Sequence, residues 1–392
     1  MRKLAILILL VVTSLHSHAQ LRYYVPTHYF GLFYQQLTSA KASGMGRTTL
    51  TQDGIEVAFY NPASIGPVRD KINLHVNYSS GDPVRPGSQY PFAGISFRIN
   101  PRLAVGLSTF KWIDKDPIWT TIIGGFNEHV DKRTQTMYGA NVAYQVIPGL
   151  QLGVAANYLI DQSVPGHTTS SSLLFSAGAI YDRNVNFIKS DKIRNQKVRL
   201  AASFINLAMK NKITVKYQDY RHYRDIPIHA YLGAAYKLSV PLNVPFTSKL
   251  GYFDETPKQV DLSLNFQVRD VLAGKDPDTD DHRNNSHIGI GTEAWFFDRI
   301  ALRIGYYSEK RPSGTSATGG AWVTQNKAGF TWGYGTRIPI KKLTRNAIPV
   351  DAELNFVTSK LMGELGENTT HPSVFTDKKS SFSVGLNLKW AD

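Results

Sequence analysis
Cysteine is missing from all 392 residues, which excludes a disulfide scaffold and any thiolate-held metal. A long hydrophobic run is missing too: no stretch of about 18 apolar residues exists to cross a bilayer as a helix. Charge is sparse, at 19% of residues, where soluble domains carry about 25%. Acids are the scarcer sign, with Asp+Glu at 30 against Lys+Arg at 44, a net charge of +14. What is plentiful is Gly (31), Tyr (20) and Phe (19), at a mean hydropathy of −0.24. That composition excludes collagen, coiled coil and long disorder. At about 150 residues per domain the length suggests two or three domains, a rule that large β-barrels break.

The N-terminus reads as an address. Arg2 and Lys3 precede an unbroken apolar run from Leu4 to Val12, too short to span a membrane, and Ser17-His18-Ala19 is a small-x-small cleavage site. Residues 1–19 are therefore expected to be a secretory signal peptide, with Gln20 starting the mature chain. Their removal takes away two cations and no acid, leaving +12.

Beyond that leader, period-two alternation dominates. Val260, Leu262, Leu264, Phe266 and Val268 alternate with Gln259, Asp261, Ser263, Asn265 and Gln267. Ile300, Leu302, Ile304 and Tyr306 alternate with Arg299, Ala301, Arg303 and Gly305, and Phe382 to Trp390 and Ile72 to Tyr78 repeat the pattern. The segments run about 9–12 residues. Sandwich strands run about 5–6, whereas a tilted membrane strand needs about 9–11. Such segments fall near 70–80, 91–99, 102–112, 134–146, 150–160, 171–182, 197–207, 226–238, 258–268, 286–297, 299–308, 326–337, 348–358 and 380–390. About 14 strands are predicted, an even number as bacterial barrels require. No blade-length repeat supports a propeller, the soluble alternative being a secreted sandwich or propeller.

Connections test the barrel independently, because outer-membrane barrels have short periplasmic turns and long outer loops. From a periplasmic N-terminus the odd connections average about 16 residues and the even ones about 8. Asn100-Pro101, Ile147-Pro148-Gly149 and Asp298 mark clear turns; 113–133, 208–225, 269–285, 309–325 and 359–379 mark clear loops. The even connections 183–196 and 239–257 are long and break the pattern locally. Tyr78, Trp112, Tyr158, Tyr236, Trp295, Tyr306, Tyr307 and Trp390 sit near strand ends, where interfacial girdles would place them.

Residues 20–69 are read as an N-terminal extension with a hatch, and 70–392 as the barrel. Within the extension, Asp53 is expected to N-cap a short helix beginning near Gly54, and Asn61-Pro62 to stop it. Gly44 and Gly46 permit tight turns. A wide barrel left empty would leak, so this piece is expected to fill it from the periplasmic side; the alternative is a tail lying outside.

The small-residue run with Gly44-Met45-Gly46, then Asp53, then Asn61-Pro62-Ala63, resembles the start of the FadL-like outer-membrane superfamily, and more closely its PorV/PorQ branch associated with type IX secretion in Bacteroidota. Gly289 to Trp295, Ile300 to Tyr306 and Phe382 to Leu388 are similar to late strands of that branch, and Ser203 to Leu207 and Ile226-Pro227 to its middle strands. The resemblance implies a barrel of usually 14 strands with N-terminal hatch helices, moving hydrophobic compounds or serving secretion. The chain departs from the family at its end, where Trp390 stands two positions before the final Asp392 in place of a terminal aromatic. A second Bacteroidota family, PorP/SprF, also carries an early Asn-Pro-Ala and is a rival.

Chemistry is scarce. Asp276, Asp278, Asp280 and Asp281 crowd one loop, but Asp281 stands where an EF-hand needs Gly and His287 where it needs Glu. No zinc, Walker A, Rossmann or nucleophile-elbow motif occurs, so no cofactor, metal site or enzymatic role is expected. His129 with Asp131, and His222 with Asp225, lie in long loops and read as chance pairs rather than acid–base pairs. The cations are spread rather than massed, which fits lipid phosphates better than nucleic acid. The expectation is thus a FadL-like outer-membrane barrel with Gly44, Gly46, Asp53, Asn61, Pro62, Ala63, Arg299 and Arg303 in its hatch and lumen. Its role is that of a PorV-like accessory or shuttle of type IX secretion, a transporter of small hydrophobic compounds, or a structural partner of a secretion or gliding machine. Its partners would be outer-membrane lipid, secreted cargo or other secretion-system components, and a small hydrophobic ligand.

Overall fold
A computed structural model describes residues 38–68, 70–82, 85–114, 118–122, 125–129, 133–162, 170–190, 192–207, 212–217, 220–225, 228–242, 259–273, 287–309, 314–315, 321–322, 327–345, 347–363 and 380–390. The signal-peptide stretch 1–19 and the Asp-rich loop at 276–281 lie outside these residues, as do the side chains of the two His-Asp pairs.

Fourteen alternating segments close into one antiparallel barrel. In chain order its strands are β1 (Ile72–Asp82), β2 (Arg85–Asn100), β3 (Leu103–Asp114), β6 (Arg133–Ile147), β7 (Leu150–Gln162), β8 (Ser170–Asn184), β9 (Arg194–Leu207), β12 (Ile228–Pro241), β13 (Gln259–Ala273), β14 (His287–Phe296), β15 (Ile300–Glu309), β18 (Lys327–Ile338), β19 (Val350–Gly363) and β20 (Ser380–Trp390). β1 pairs with β20, Ile72 opposite Trp390, so the sheet has no open edge. The remaining strands form three separate hairpins, β4–β5 (Ile118–Ile122, Gly125–His129), β10–β11 (Lys212–Tyr217, Tyr220–Asp225) and β16–β17 (Gly314–Thr315, Ala321–Trp322). All three fall within stretches read from sequence as plain loops.

One end of the barrel, here called the turn end, has tight turns after β2, β6 and β14. Asn100 makes one of them, its Oδ1 accepting from the amides of Arg102 and Leu103 at 2.8 and 2.9 Å. Gly149 makes another at φ 87°. The opposite, loop end carries most of the longer connections. Its first connection differs from expectation: β1 and β2 run on to Asp82 and Arg85.

Side chains alternate across the wall as the pleat demands. On β15, Ile300, Leu302, Ile304 and Tyr306 are 42, 53, 56 and 38% exposed, while Ala301, Arg303 and Tyr307 between them are buried. The outside is apolar and the inside polar, the arrangement of a strand whose outer face meets lipid. Parity also corrects the girdle. Trp112, Trp295 and Tyr307 fall on inward positions and are buried in the lumen, whereas Tyr78, Tyr158 and Tyr306 face outward. A single step along a strand swaps the faces, so closeness to a strand end did not decide orientation.

Candidate functional site
Residues 38–66 lie inside the barrel. Helix α1 (Ala40–Gly44) packs on β15, β18, β19, β20 and β1; a 3₁₀ turn at Ile55–Val57 packs on β1, β2 and β3; a second at Pro62–Ile65 packs on β6, β7 and β8. The segment thus touches most of the circumference. Met45, Leu50, Ile55, Tyr60 and Ile65 are almost fully buried.

The wall makes room by omitting side chains. Gly289 and Gly291 on β14 and Gly305 on β15 occupy inward positions against Met45 and Gly46; a Cβ on any of them would overlap that backbone. Gly153 on β7 meets Pro62 and Ala63 in the same way, and Gly178 on β8 meets the Asn61 side chain. Gly46 itself turns the chain at φ 62°, between the strand backbones of Ile290 and Tyr306. Gly44 serves differently: it ends α1 where a Cβ would press on the Val357 side chain at 3.0 Å.

Barrel side chains then satisfy the hatch backbone. Gln267 Oε1 accepts from the amides of Thr49 and Leu50 at 2.7 and 2.9 Å, Thr331 Oγ1 accepts from Gly46 at 2.9 Å, and Asn77 Oδ1 accepts from Ala40 at 3.1 Å. Ser203 Oγ donates to the Tyr60 carbonyl at 2.6 Å. Buried backbone groups need partners, and here the wall provides several of them.

One sequence expectation for the hatch is corrected and another extended. Asp53 caps nothing: Gly54 holds the N-cap position of the first 3₁₀ turn, with no side-chain cap, and Asp53 instead pairs with Arg199 of β9. Burial opposes ionisation of Asp53, but Arg199 and then Lys237 outweigh it and hold the carboxyl below its usual range. Asn61-Pro62 stops the first piece, as expected, with Asn61 extended at φ −148°, and also starts a second turn. Asn61 Oδ1 accepts from Ala63 N at 3.1 Å, and Pro62 sits at the first position, where its fixed φ suits the turn and its missing N–H costs nothing.

Charge is concentrated at the turn half of the lumen. Arg303 donates to Glu293 at 2.6 Å, and Lys41 of α1 reaches the same carboxylate at 3.4 Å. Glu353 meets Lys389 at 3.0 Å, Arg337 at 3.3 Å and Arg303 at 3.9 Å; Arg337 also pairs with Asp298 and lies over the Trp295 ring. Arg299 is buried beside this group, at the start of β15. A second node joins Arg199 to Asp182 at 2.7 and 2.8 Å and Lys197 to Asp182 at 2.9 Å. It borders a polar cavity of 760 Å³ at the turn end.

The loop half is mainly apolar on the β2 to β9 side. Phe59, Tyr60, Tyr90, Phe92, Phe110, Trp112, Met137, Leu159, Leu174, Ile205 and Tyr231 form one buried cluster over the hatch. Phe59 and Tyr60 meet edge-on at 5.1 Å, and Tyr60 meets Tyr231 at 6.2 Å. Along β2 to β9 the lumen therefore grades from apolar on the loop side to ionic on the turn side, whereas β12, β13 and β14 keep His229, Arg269 and His287 buried in the loop half.

Sequence reading selected Arg299 and Arg303 but missed their carboxylate partners Glu293 and Glu353, the Arg199–Asp182 node and the wall glycines. The glycines had left a sign: Gly289, Gly291 and Glu293 alternate with Ile290, Thr292 and Ala294.

No protein-family model matches this sequence, and a search of curated proteins finds no match. Solved structures do match. A deletion mutant of the monoaromatic hydrocarbon channel TodX superposes with a TM-score of 0.50 at 11% identity, over 90% of this chain and 98% of that one. A FadL homologue from Pseudomonas aeruginosa gives 0.49 at 12% identity, over 91% and 98%. The toluene transporter TodX of Pseudomonas putida gives 0.46 at 9%, over 95% and 99%. The fold is that of the TodX barrel. At such low identity the likeness concerns the fold alone.

The wall glycines give a direct test of the hatch. Gly305→Leu cannot coexist with the seated Gly46 backbone. Vesicles holding this variant, or a deletion of residues 38–60, should admit small hydrophilic solutes faster than the parent in a liposome-swelling assay. Unchanged permeability in both would mean the segment does not obstruct the pore.

Proposed function
We propose that this protein resides in the outer membrane and conducts small hydrophobic compounds, admitted at the loop end and held by the lumenal cluster above the hatch. One observation carries the reading: from β2 to β9, and at Tyr231 of β12, the loop half of the lumen presents a continuous buried cluster of aromatic and aliphatic side chains, with the buried Arg269, His229 and His287 beyond it. Open porins keep a polar, water-filled interior, because their solutes are hydrophilic. A buried apolar lining favours an apolar solute, since contact with it removes apolar surface from water on both sides. The ionic turn half does the reverse. Its paired charges disfavour an apolar guest, so passage requires the hatch to shift. No catalytic role is proposed for any residue.

A second reading rests on the Gly44-Met45-Gly46 and Asn61-Pro62-Ala63 motifs, which resemble the PorV/PorQ branch. In that reading the barrel is an accessory or shuttle of type IX secretion in a member of the Bacteroidota, and the partner is a secreted protein's C-terminal domain or another secretion component.

One experiment separates them. Trp112 lies in the cluster and reports on it. Toluene, as a monoaromatic probe, should quench the fluorescence of the reconstituted barrel saturably, and Trp112→Phe should remove most of that signal. Phe110→Asp should abolish binding while the barrel still shows its heat-modifiable gel shift. No saturable binding, together with recovery of secreted C-terminal domains from outer-membrane pull-downs, would replace the transport reading with the secretion one.

A further inference from the structure
The turn between β8 and β9 is nine residues long, at the end of the barrel where the turns after β2, β6 and β14 are tight. It is also well organised. Val185 N donates to the Gln196 carbonyl at 3.0 Å, and Ile193 N donates to the Ser190 carbonyl at 3.1 Å. Gln196 Oε1 accepts from Ile188 N at 2.9 Å, and Gln196 Nε2 donates back to the Ile188 carbonyl at 2.6 Å. Tyr236 Oη donates to the same Gln196 Oε1 at 2.6 Å.

Tyr236 alternates with buried Ala235 on β12 and so faces outward. Phe187 stacks on its ring at 6.1 Å and 30°. The turn therefore folds back over the outer surface of the barrel rather than hanging below it. It holds Phe187 at 63% exposure and Ile188 at 43%. A cluster of hydrogen bonds that fixes a phenylalanine in the open makes sense if the surroundings there are not water.

The charge beside it is one-sided. From Arg183 to Lys197 the sequence carries five cations and one acid. Lys197 is taken up by Asp182, while Lys189, Lys192 and Arg194 are exposed. Apolar tips flanked by cations match a membrane interface, where the tips enter the acyl boundary and the cations meet phosphates.

We propose that the β8–β9 turn is a phospholipid site: Phe187 and Ile188 insert at the headgroup boundary of the leaflet at the turn end, and Lys189, Lys192 and Arg194 bind the headgroup of an anionic phospholipid. This holds whatever passes through the lumen.

The chain has no cysteine, so Ile188→Cys takes a single polarity-sensitive label. In vesicles of phosphatidylethanolamine and phosphatidylglycerol the label should be shielded from iodide, and in detergent it should be quenched freely. Lys189→Gln/Lys192→Gln/Arg194→Gln should lower phosphatidylglycerol affinity about tenfold or more, read as lipid retained in native mass spectrometry. A label quenched equally in vesicles and detergent, or unchanged lipid retention in the triple variant, would overturn the proposal. Shielding that rises with protein concentration in detergent would also overturn it, and would assign the surface to a second copy of the chain.

Discussion
Glu353→Ala should destabilise the barrel by about 3–5 kcal/mol, the range for removing one partner from a buried ion network. Glu353 is buried on β19 and faces Lys389, Arg337 and Arg303. Without it, Arg303 keeps Glu293 and Arg337 keeps Asp298, but Lys389 on the closing strand loses its carboxylate. On the next strand, β20, the sheet closes against β1, where Asn73 Nδ2 donates to Asn387 Oδ1 at 2.8 Å. The damage thus falls beside the seam. The measurement is the urea midpoint of the gel-mobility shift in lipid vesicles. Glu353→Gln keeps the volume without the charge and should fall between alanine and the parent. A loss under about 1 kcal/mol for Glu353→Ala would mean that water, not the carboxylate, stabilises these cations.

Leu302→Arg should cost about 2–4 kcal/mol near the bilayer midplane. Leu302 is 53% exposed on the outer face of β15, between Ile300 and Ile304. The comparison with its neighbour is the informative part. Ala301 points into the lumen, where an open pore would tolerate arginine. The lumen is filled: Ala301 is fully buried, opposite Trp295 and between Arg299 and Arg303. Ala301→Arg should therefore also destabilise, by overpacking and by added like charge, at about 1–3 kcal/mol. The two losses differ in their medium. The Leu302→Arg cost should shrink in detergent micelles, and the Ala301→Arg cost should persist. A Leu302→Arg variant as stable as the parent in vesicles would remove the lipid-facing assignment of this strand.

The wall was legible because a membrane barrel imposes a period-two code on each strand separately. Lipid on one side and lumen on the other force the alternation seen in Val260 to Val268 and Ile300 to Tyr306, and it is readable without knowing any neighbour. Strand number, strand length and the even closure followed from it. The hatch was legible only as a segment. Asn61-Pro62 has a local conformational meaning, but whether it stops a helix or starts a turn depends on what surrounds it, and β7 and β8 present Gly153 and Gly178 there. Asp53 shows the limit most clearly. Its short acidic side chain before Gly54 reads as a cap, and a buried arginine 146 residues away takes it instead.

Sequence alone therefore determined the architecture of the wall and which residues could face lipid, because those are properties of one strand and its solvent. Tertiary structure decided what fills the barrel. Glu353 acquires its role only when β18, β19 and β20 bring Arg337 and Lys389 to it, and Gly305 only when Gly46 arrives from the hatch. Ion pairs and close backbone contacts are properties of two distant segments at once, so no local pattern encodes them.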